Sequence, residues 1–424
     1  MTPPRAQWSG LADGRVAYSG GVPACWAGGE PVVSDRGQGV GMDHAQPPRR
    51  LLPLTSLRFF AAMLIVIHHA ACFFGFKPLW KCPLDQAVSF FFVLSGFVIT
   101  YVYYRPDGLK DVKKFLMARF ARLYPTHFLC NVFLLVVVWG VFSLRRYDPL
   151  SPVVFLNFIF AHALFPLKAL NFSLNGQSWA ISAEMCFYLA FIVLVVNFHK
   201  RWPVTLALSA ALTGVMIWLG WRYCVMSPGP LSREIAWSLG YINPAARLLE
   251  FVFGMSLALA WRRLQGVKLN FWLATIAELC AVIAVVTAFV YFYDVFWVLK
   301  KALGGQESYL HGLLTRWFRH SGIFPLFGLA ILVFAFQAGA LSKLLSHKVF
   351  LTLGEASYSI FMYHVIIRFF FEKHITPTNG MALFYAYALL VVAISVFMTK
   401  KFEEPMRARI MRWHAKRAAA RAAA

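Results

Sequence analysis

Two ionisable side chains stand eleven positions apart in an otherwise apolar run: Arg58 and His69, within LRFFAAMLIVIHHA. On a helix turning about 100° per residue, eleven steps come to three turns plus about 20°, so both leave one face, about 16 Å apart along the axis. A guanidinium stays charged and grips phosphate oxygens two at a time. An imidazole titrates near working pH and can take a proton from a hydroxyl. One helix face thus has the groups to hold a phosphorylated donor at one end and deprotonate an acceptor at the other. The adjacent His68 points about 100° away and reads as structural.

The elements around these residues are those of a membrane protein. Of 424 residues, 59% are hydrophobic and only 14% charged, against about 25% charged in a soluble domain. Ten apolar runs approach the roughly 20 residues that a helix needs to span a bilayer: 57–76, 86–104, 126–144, 179–197, 203–221, 243–261, 270–292, 320–339, 353–372 and 380–399. They are solidly apolar without alternation, so the fold class is all-α, a polytopic transmembrane helical bundle, and not a barrel. An eleventh stretch, 152–167, is broken by His162 and Pro166 and reads as interfacial or re-entrant. The net charge of +23 does not call for nucleic acid, because basic residues in cytoplasmic loops orient spans. With both termini cytoplasmic, the inner segments hold 26 Lys and Arg and the outer ones 12. The weak point is 294–319, an external loop carrying Lys300, Lys301, Arg316 and Arg319.

Residues 1–50 lack an apolar period and read as a disordered extension, with Met42 a second candidate start; 51–405 form the membrane domain and 406–424 a basic cytoplasmic tail, a frayed helix. The segment 105–125 reads as an amphipathic helix on the cytoplasmic surface, either a topology anchor beside anionic lipid or a dock for a phosphorylated donor. Cys72 and Cys82 flank the first external loop, where an oxidising face would let them pair. No metal-ligand spacing occurs among the seven cysteines.

Ionisable groups inside a bilayer are costly and so need a reason. Helical rise places His69, Ser95, Glu184 and His364 in one central-to-outer layer, with Arg58, Arg119, Arg122 and Glu355 at the cytoplasmic rim. Such a layout suits a large anionic donor whose acyl arm reaches into the membrane toward His69. Ser95-Gly96 reads as close helix packing rather than a nucleophile, and Arg247 and Glu250, three apart, as a pair within the bundle.

The motifs also resemble the acyltransferase type three family, the membrane-bound O-acyltransferases of bacterial surface glycans. The resemblance runs from about 55 to 405: Arg58-x10-His69, SFFFVLSGFVIT at 89–100, RFARLYP at 119–125, and Ser178, Trp179, Glu184, Phe187 and Tyr188. RLLEFVFGM at 247–255, SYSIFMYH at 357–364 and EEP at 403–405 follow in order. It implies a ten-helix enzyme of the bacterial inner membrane that moves an acyl group, here expected to be acetyl, from cytosolic acyl-CoA to a hydroxyl of a glycan or lipid-linked saccharide, with no bound cofactor. His69 is then the catalytic base, Glu184 a catalytic acid near the acceptor, and Arg58, Arg119 and Arg122 the donor-binding set. Ser95, Gly96, Trp179, Tyr358 and His364 are candidates to line the site. Some relatives carry a fused extracytoplasmic domain; here a second transfer step would call for a separate transferase partner.

Two readings from other classes compete. A proton-coupled secondary transporter also buries His, Glu and Arg, although no matched pair of interrupted segments or internal symmetry is visible. A membrane sensor that binds acyl donor without turnover is the other.

Overall fold

Apolar composition dictates helix here, since a backbone in hydrocarbon must satisfy its polar groups within its own segment. The computed structural model describes residues 49–71, 73–75, 82–136, 151–302, 309–375 and 380–423, and among these no strand occurs. The helices are α1 Leu52–Ala71, α2 Ala87–Tyr103, α3 Val112–Phe133, α4 Pro152–Phe158, α5 Lys168–Asn171 and α6 Trp179–Leu194. After them come α7 Phe198–Met226, α8 Pro230–Trp237, α9 Pro244–Leu264, α10 Phe271–Val290, α11 Phe292–Ala302 and α12 Tyr309–Ser321. The series ends with α13 Phe324–Ala335, α14 Ala340–Leu345, α15 Lys348–Glu355, α16 Ser357–His374, α17 Gly380–Met398 and α18 Glu404–Ala423.

Among the described residues, eight helical stretches are long and apolar enough to cross a membrane, or nine if α15 and α16, bent by 58° at their junction, count as one. The chain is an all-α polytopic membrane protein. Of the ten sequence runs, 126–144 has no counterpart in that set: its first part continues the charged helix α3, and 137–144 lies outside the described residues. The stretch 152–167 makes only the seven-residue α4 and short turns.

Burial sorts the spans. In α2 72% of the membrane window is buried, against 22% in α7, 22% in α10 and 17% in the last span, so α2 is the axis and those three face lipid. The close approach of α2 to α9 requires glycine on both. A Cβ on Gly96 would stand 2.0 Å from the Phe251 carbonyl oxygen, and one on Gly254 would stand 2.0 Å from that of Val93. Small residues that let backbones touch are the usual adhesive between helices in lipid. Helix starts are marked by side-chain caps: Asp111 accepts from the Lys114 amide, Asn243 from Ala245 and Asn270 from Trp272.

Three expectations need correction. The supposed loop 294–319 holds helices α11 and α12, whose apolar faces pack: Phe292 stacks on Phe318 at 5.4 Å. In the segment 105–125 the basic residues divide: Arg105, Lys110 and Lys113 are exposed, as a surface helix requires, whereas the arginines further along turn inward. The helical part starts at Val112 and runs to Phe133, with Arg119 and Arg122 only 5% and 8% exposed. The tail is helical as far as Ala423 and packs on α3, joined to α17 by a π-helical turn at Thr399–Glu403. Residues 1–48 lie outside the described residues, as does Cys72, and with them the disordered extension, the second start and the cysteine pairing.

Candidate active site

The last two turns of α1 carry His69 to the middle of α16. Its Nδ1 lies 2.9 Å from His364 Nε2, and the rings stack with centroids 5.1 Å apart. His364 is fully buried, and its Nδ1 lies 3.1 Å from the Ile360 carbonyl oxygen. A carbonyl only accepts, so His364 Nδ1 carries the proton and its Nε2 presents a lone pair. His69 Nδ1 must then be the donor across the 2.9 Å contact. The remaining nitrogen, His69 Nε2, keeps its lone pair: the pair of neutral rings sets His69 in the tautomer of a base.

Two further groups hold this arrangement. Arg368, one turn beyond His364, donates from Nη1 to the His69 carbonyl at 2.5 Å and pairs through Nε with Glu372 at 3.1 Å. Tyr387 on α17 donates to the His364 carbonyl at 3.0 Å. Arg368 was absent from the sequence candidates, although its spacing of four from His364 places both on one face.

At the other end of α1 the arginines gather. Arg58 is 8% exposed, lies 6.0 Å from the Phe91 ring centroid, and has Arg122, Glu184, Tyr188 and Glu403 as electrostatic neighbours. Arg119 donates to the Tyr103 hydroxyl at 3.1 Å and lies over the rings of Tyr103, Phe115 and Tyr188 at 5.3, 5.8 and 5.8 Å. Arg122 pairs with Glu403, which also accepts from Ser359 at 2.9 Å. Arg122 further covers the Tyr358 ring at 5.6 Å, while the Tyr358 hydroxyl donates to the Leu123 carbonyl at 2.6 Å.

Glu184 joins this lower cluster, and the layer drawn for it beside His69 is corrected. Its Oε1 accepts from Ser95 at 3.2 Å and from the Tyr188 hydroxyl. The titratable neighbours of His69 are instead His364, His68 and Arg368. The reason lies in the segment before α6. Gln177 already touches the Phe361 and Met362 carbonyls, level with the histidines. Seven residues of helix then carry Glu184 about 10 Å further down.

Gly96 is taken up by the α2–α9 contact. Trp179 packs on Tyr241 and Phe92 and covers Arg247 at 5.9 Å. Arg247 itself is fully buried, 3.0 Å from Glu250 and 3.0 Å from the Ser89 hydroxyl, the pairing expected from their spacing. Among the described residues no three His, Cys, Asp or Glu side chains are grouped to hold a metal ion.

Comparison with known proteins supplies the context for these two clusters. Acyltransferase MdmB of Streptomyces mycarofaciens is 30% identical over 247 residues, 51% of this chain and 59% of that protein. Protein 2 in the picA locus of Rhizobium radiobacter is 33% identical over 171 residues, 37% of this chain and 84% of that one. O-acetyltransferase OatA of Staphylococcus aureus is 24% identical over 381 residues, 85% of this chain and 58% of OatA. The chain thus spans less than two thirds of the length of MdmB and of OatA. No solved structure matches it. The acyltransferase domain of acyltransferase family 3 matches residues 54–400, from the start of α1 to the end of α17, and the chain belongs to that family.

Proposed function

We propose that this protein is an integral-membrane O-acyltransferase that moves an acetyl group from cytosolic acyl-CoA to a hydroxyl of a glycan or lipid-linked saccharide, in a bacterial inner membrane. The observation that carries the reading is the His69–His364 contact at 2.9 Å inside a family of acyltransferases. Names of relatives point the same way: MdmB is an acyltransferase and OatA an O-acetyltransferase. Family membership weighs against the transporter.

In the proposed reaction the acyl-CoA phosphates meet Arg58, Arg119 and Arg122 at the rim, where guanidinium forks suit them. The thioester reaches up along α1 toward His69, about 16 Å away for eleven residues of helix. His69 Nε2 takes the acceptor hydroxyl proton as the oxygen attacks the thioester carbonyl carbon. The tetrahedral intermediate collapses, the C–S bond breaks, and the imidazolium returns its proton to the departing thiolate. His364 accepts from His69 Nδ1–H throughout and so holds the ring in its base tautomer, a positioning role. Glu184, among the arginines, positions the donor-binding cluster through Arg58 and Tyr188.

The test uses purified protein in lipid nanodiscs with radiolabelled acetyl-CoA and an envelope glycan extract of the host. Label reaches the extract with wild type and not with His69→Ala, while both bind acetyl-CoA. Folded protein that neither transfers label nor binds acetyl-CoA contradicts the reading.

A further inference from the structure

Between α4 and α6 the chain makes no regular helix beyond the single turn of α5. It makes 3-10 turns at His162–Leu164 and Gly176–Ser178 and has left-handed backbone at Phe160 (φ 61) and Leu174 (φ 54). Non-helical backbone at membrane depth survives only where protein covers it or where it lines a polar cavity. Here its two ends, 160–163 and 171–178, are largely covered and pinned, while Leu164, Phe165 and Leu167 between them are exposed. Asn157 on α4 accepts from Asn131 at 2.9 Å and donates to the Ser173 carbonyl and hydroxyl at 2.9 and 3.0 Å.

Two side chains near its end are matched on one side only. Asn175 Nδ2 donates to the Met362 carbonyl at 2.9 Å, and Gln177 Nε2 donates to the Phe361 and Met362 carbonyls, both at 3.1 Å. Because carbonyls only accept, the nitrogen end of each amide must face α16, and the oxygen end must face elsewhere. Asn175 is 1% exposed and Gln177 5%, and neither Asn175 Oδ1 nor Gln177 Oε1 has a hydrogen-bond partner. A buried acceptor without a donor is costly, and native proteins rarely keep two together without use for them. Their position is specific: Phe361 and Met362 precede His364 by three and two residues, so the amides stand within about 5 Å of its level along α16.

We propose that Asn175 and Gln177 form the acceptor-binding site, each amide oxygen accepting a hydrogen bond from a hydroxyl of the substrate adjacent to the one that His69 deprotonates. This rests on the transferase reading above and makes the acceptor polyhydroxylated. A monohydric alcohol has one O–H, which the base takes, and nothing left for the amides. A saccharide brings vicinal hydroxyls that satisfy both. A site built to bond hydroxyls discriminates strongly against substrates that lack them. The irregular segment 171–178, which follows the stretch 152–167 marked as interfacial or re-entrant, thereby acquires a purpose, which is to carry these amides to the depth of the base.

The experiment titrates the envelope glycan extract at saturating radiolabelled acetyl-CoA, and acetyl-CoA at saturating extract, in nanodiscs. Wild type is compared with Gln177→Met and Asn175→Leu, which keep approximate volume. The expected result is a roughly tenfold or greater rise in half-saturating extract for each variant, equal to the loss of one good hydrogen bond. Half-saturating acetyl-CoA and the slow hydrolysis of acetyl-CoA by water stay within about twofold. Unchanged extract saturation in both variants means the oxygens face only trapped water and overturns the proposal. Loss of acetyl-CoA binding in both variants means the amides merely hold α16 in place and overturns it equally. If wild type itself moves no label to extract while hydrolysing acetyl-CoA, the transferase reading fails, a result distinct from either.

Discussion

A single hydrogen-bond direction governs the chemistry at the residue scale. The Ile360 carbonyl can only accept, which orients His364, which in turn orients His69. Arg119 belongs to the other pole: removing it takes a charge-assisted donor from the rim, so Arg119→Ala is expected to raise the half-saturating acetyl-CoA concentration about tenfold or more, with little change in kcat. Steady-state kinetics in nanodiscs measure this, and an unchanged value removes Arg119 from the donor site. Helical phase brings Arg58 and His69 to one face from the sequence alone, because 3.6-residue geometry needs no partner. Depth is another matter. The level of Glu184 depends on how far the preceding segment sinks into the bundle, and periodicity carries no information about that. For the same reason Asn175 and Gln177 escaped notice: an amide becomes conspicuous only when one end is paired and the other is not.

At the scale of elements, the helices were legible wherever apolar runs were continuous, and illegible where tertiary contacts overrode pattern. The basic helix α3 looks amphipathic, yet its arginines turn inward because aromatic rings and Glu403 receive them. Glu403 ties α3 to α16, accepting from Arg122 and Ser359. Removing one member of a buried ion pair strands the other, so Glu403→Leu should cost about 3–5 kcal/mol, and the double variant Arg122→Met Glu403→Leu should recover much of that. Thermal unfolding in nanodiscs checks it; equal losses in single and double variants would show that the pair is not coupled. The α2–α9 contact makes a sharper demand. Gly96→Val places a Cβ 2.0 Å from the Phe251 carbonyl oxygen, so the helices must part. A loss of about 2 kcal/mol or more follows, and a variant as heat-stable as wild type contradicts the packing described.

For the whole molecule, the two clusters at opposite ends of α1 make sense only with a defined orientation in the membrane. The charge asymmetry read from the ten sequence runs, 26 basic residues against 12, predicts that the arginine pole and both termini face the cytoplasm. A C-terminal fluorescent-protein fusion should therefore glow and a C-terminal phosphatase fusion stay silent; the reverse pattern would place the donor cluster on the wrong face for cytosolic acyl-CoA. Composition carries the membrane class, and motif order carries the family, because both are properties of the chain taken end to end. Span number does not read out so simply, since a charged helix such as α3 and a bent pair such as α15–α16 defeat length and hydropathy together.

On the proposed mechanism His69 is the base and His364 acts through it. A double-mutant cycle on acetyl transfer tests both parts together: His69→Ala, His364→Ala and the double variant, each shown to bind acetyl-CoA. His69→Ala is expected to lower kcat by about 10²–10⁴, His364→Ala to lower it less, and the double variant to be no worse than His69→Ala alone. Additive losses would contradict the mechanism, since a residue that works only through His69 has nothing left to contribute once His69 is gone.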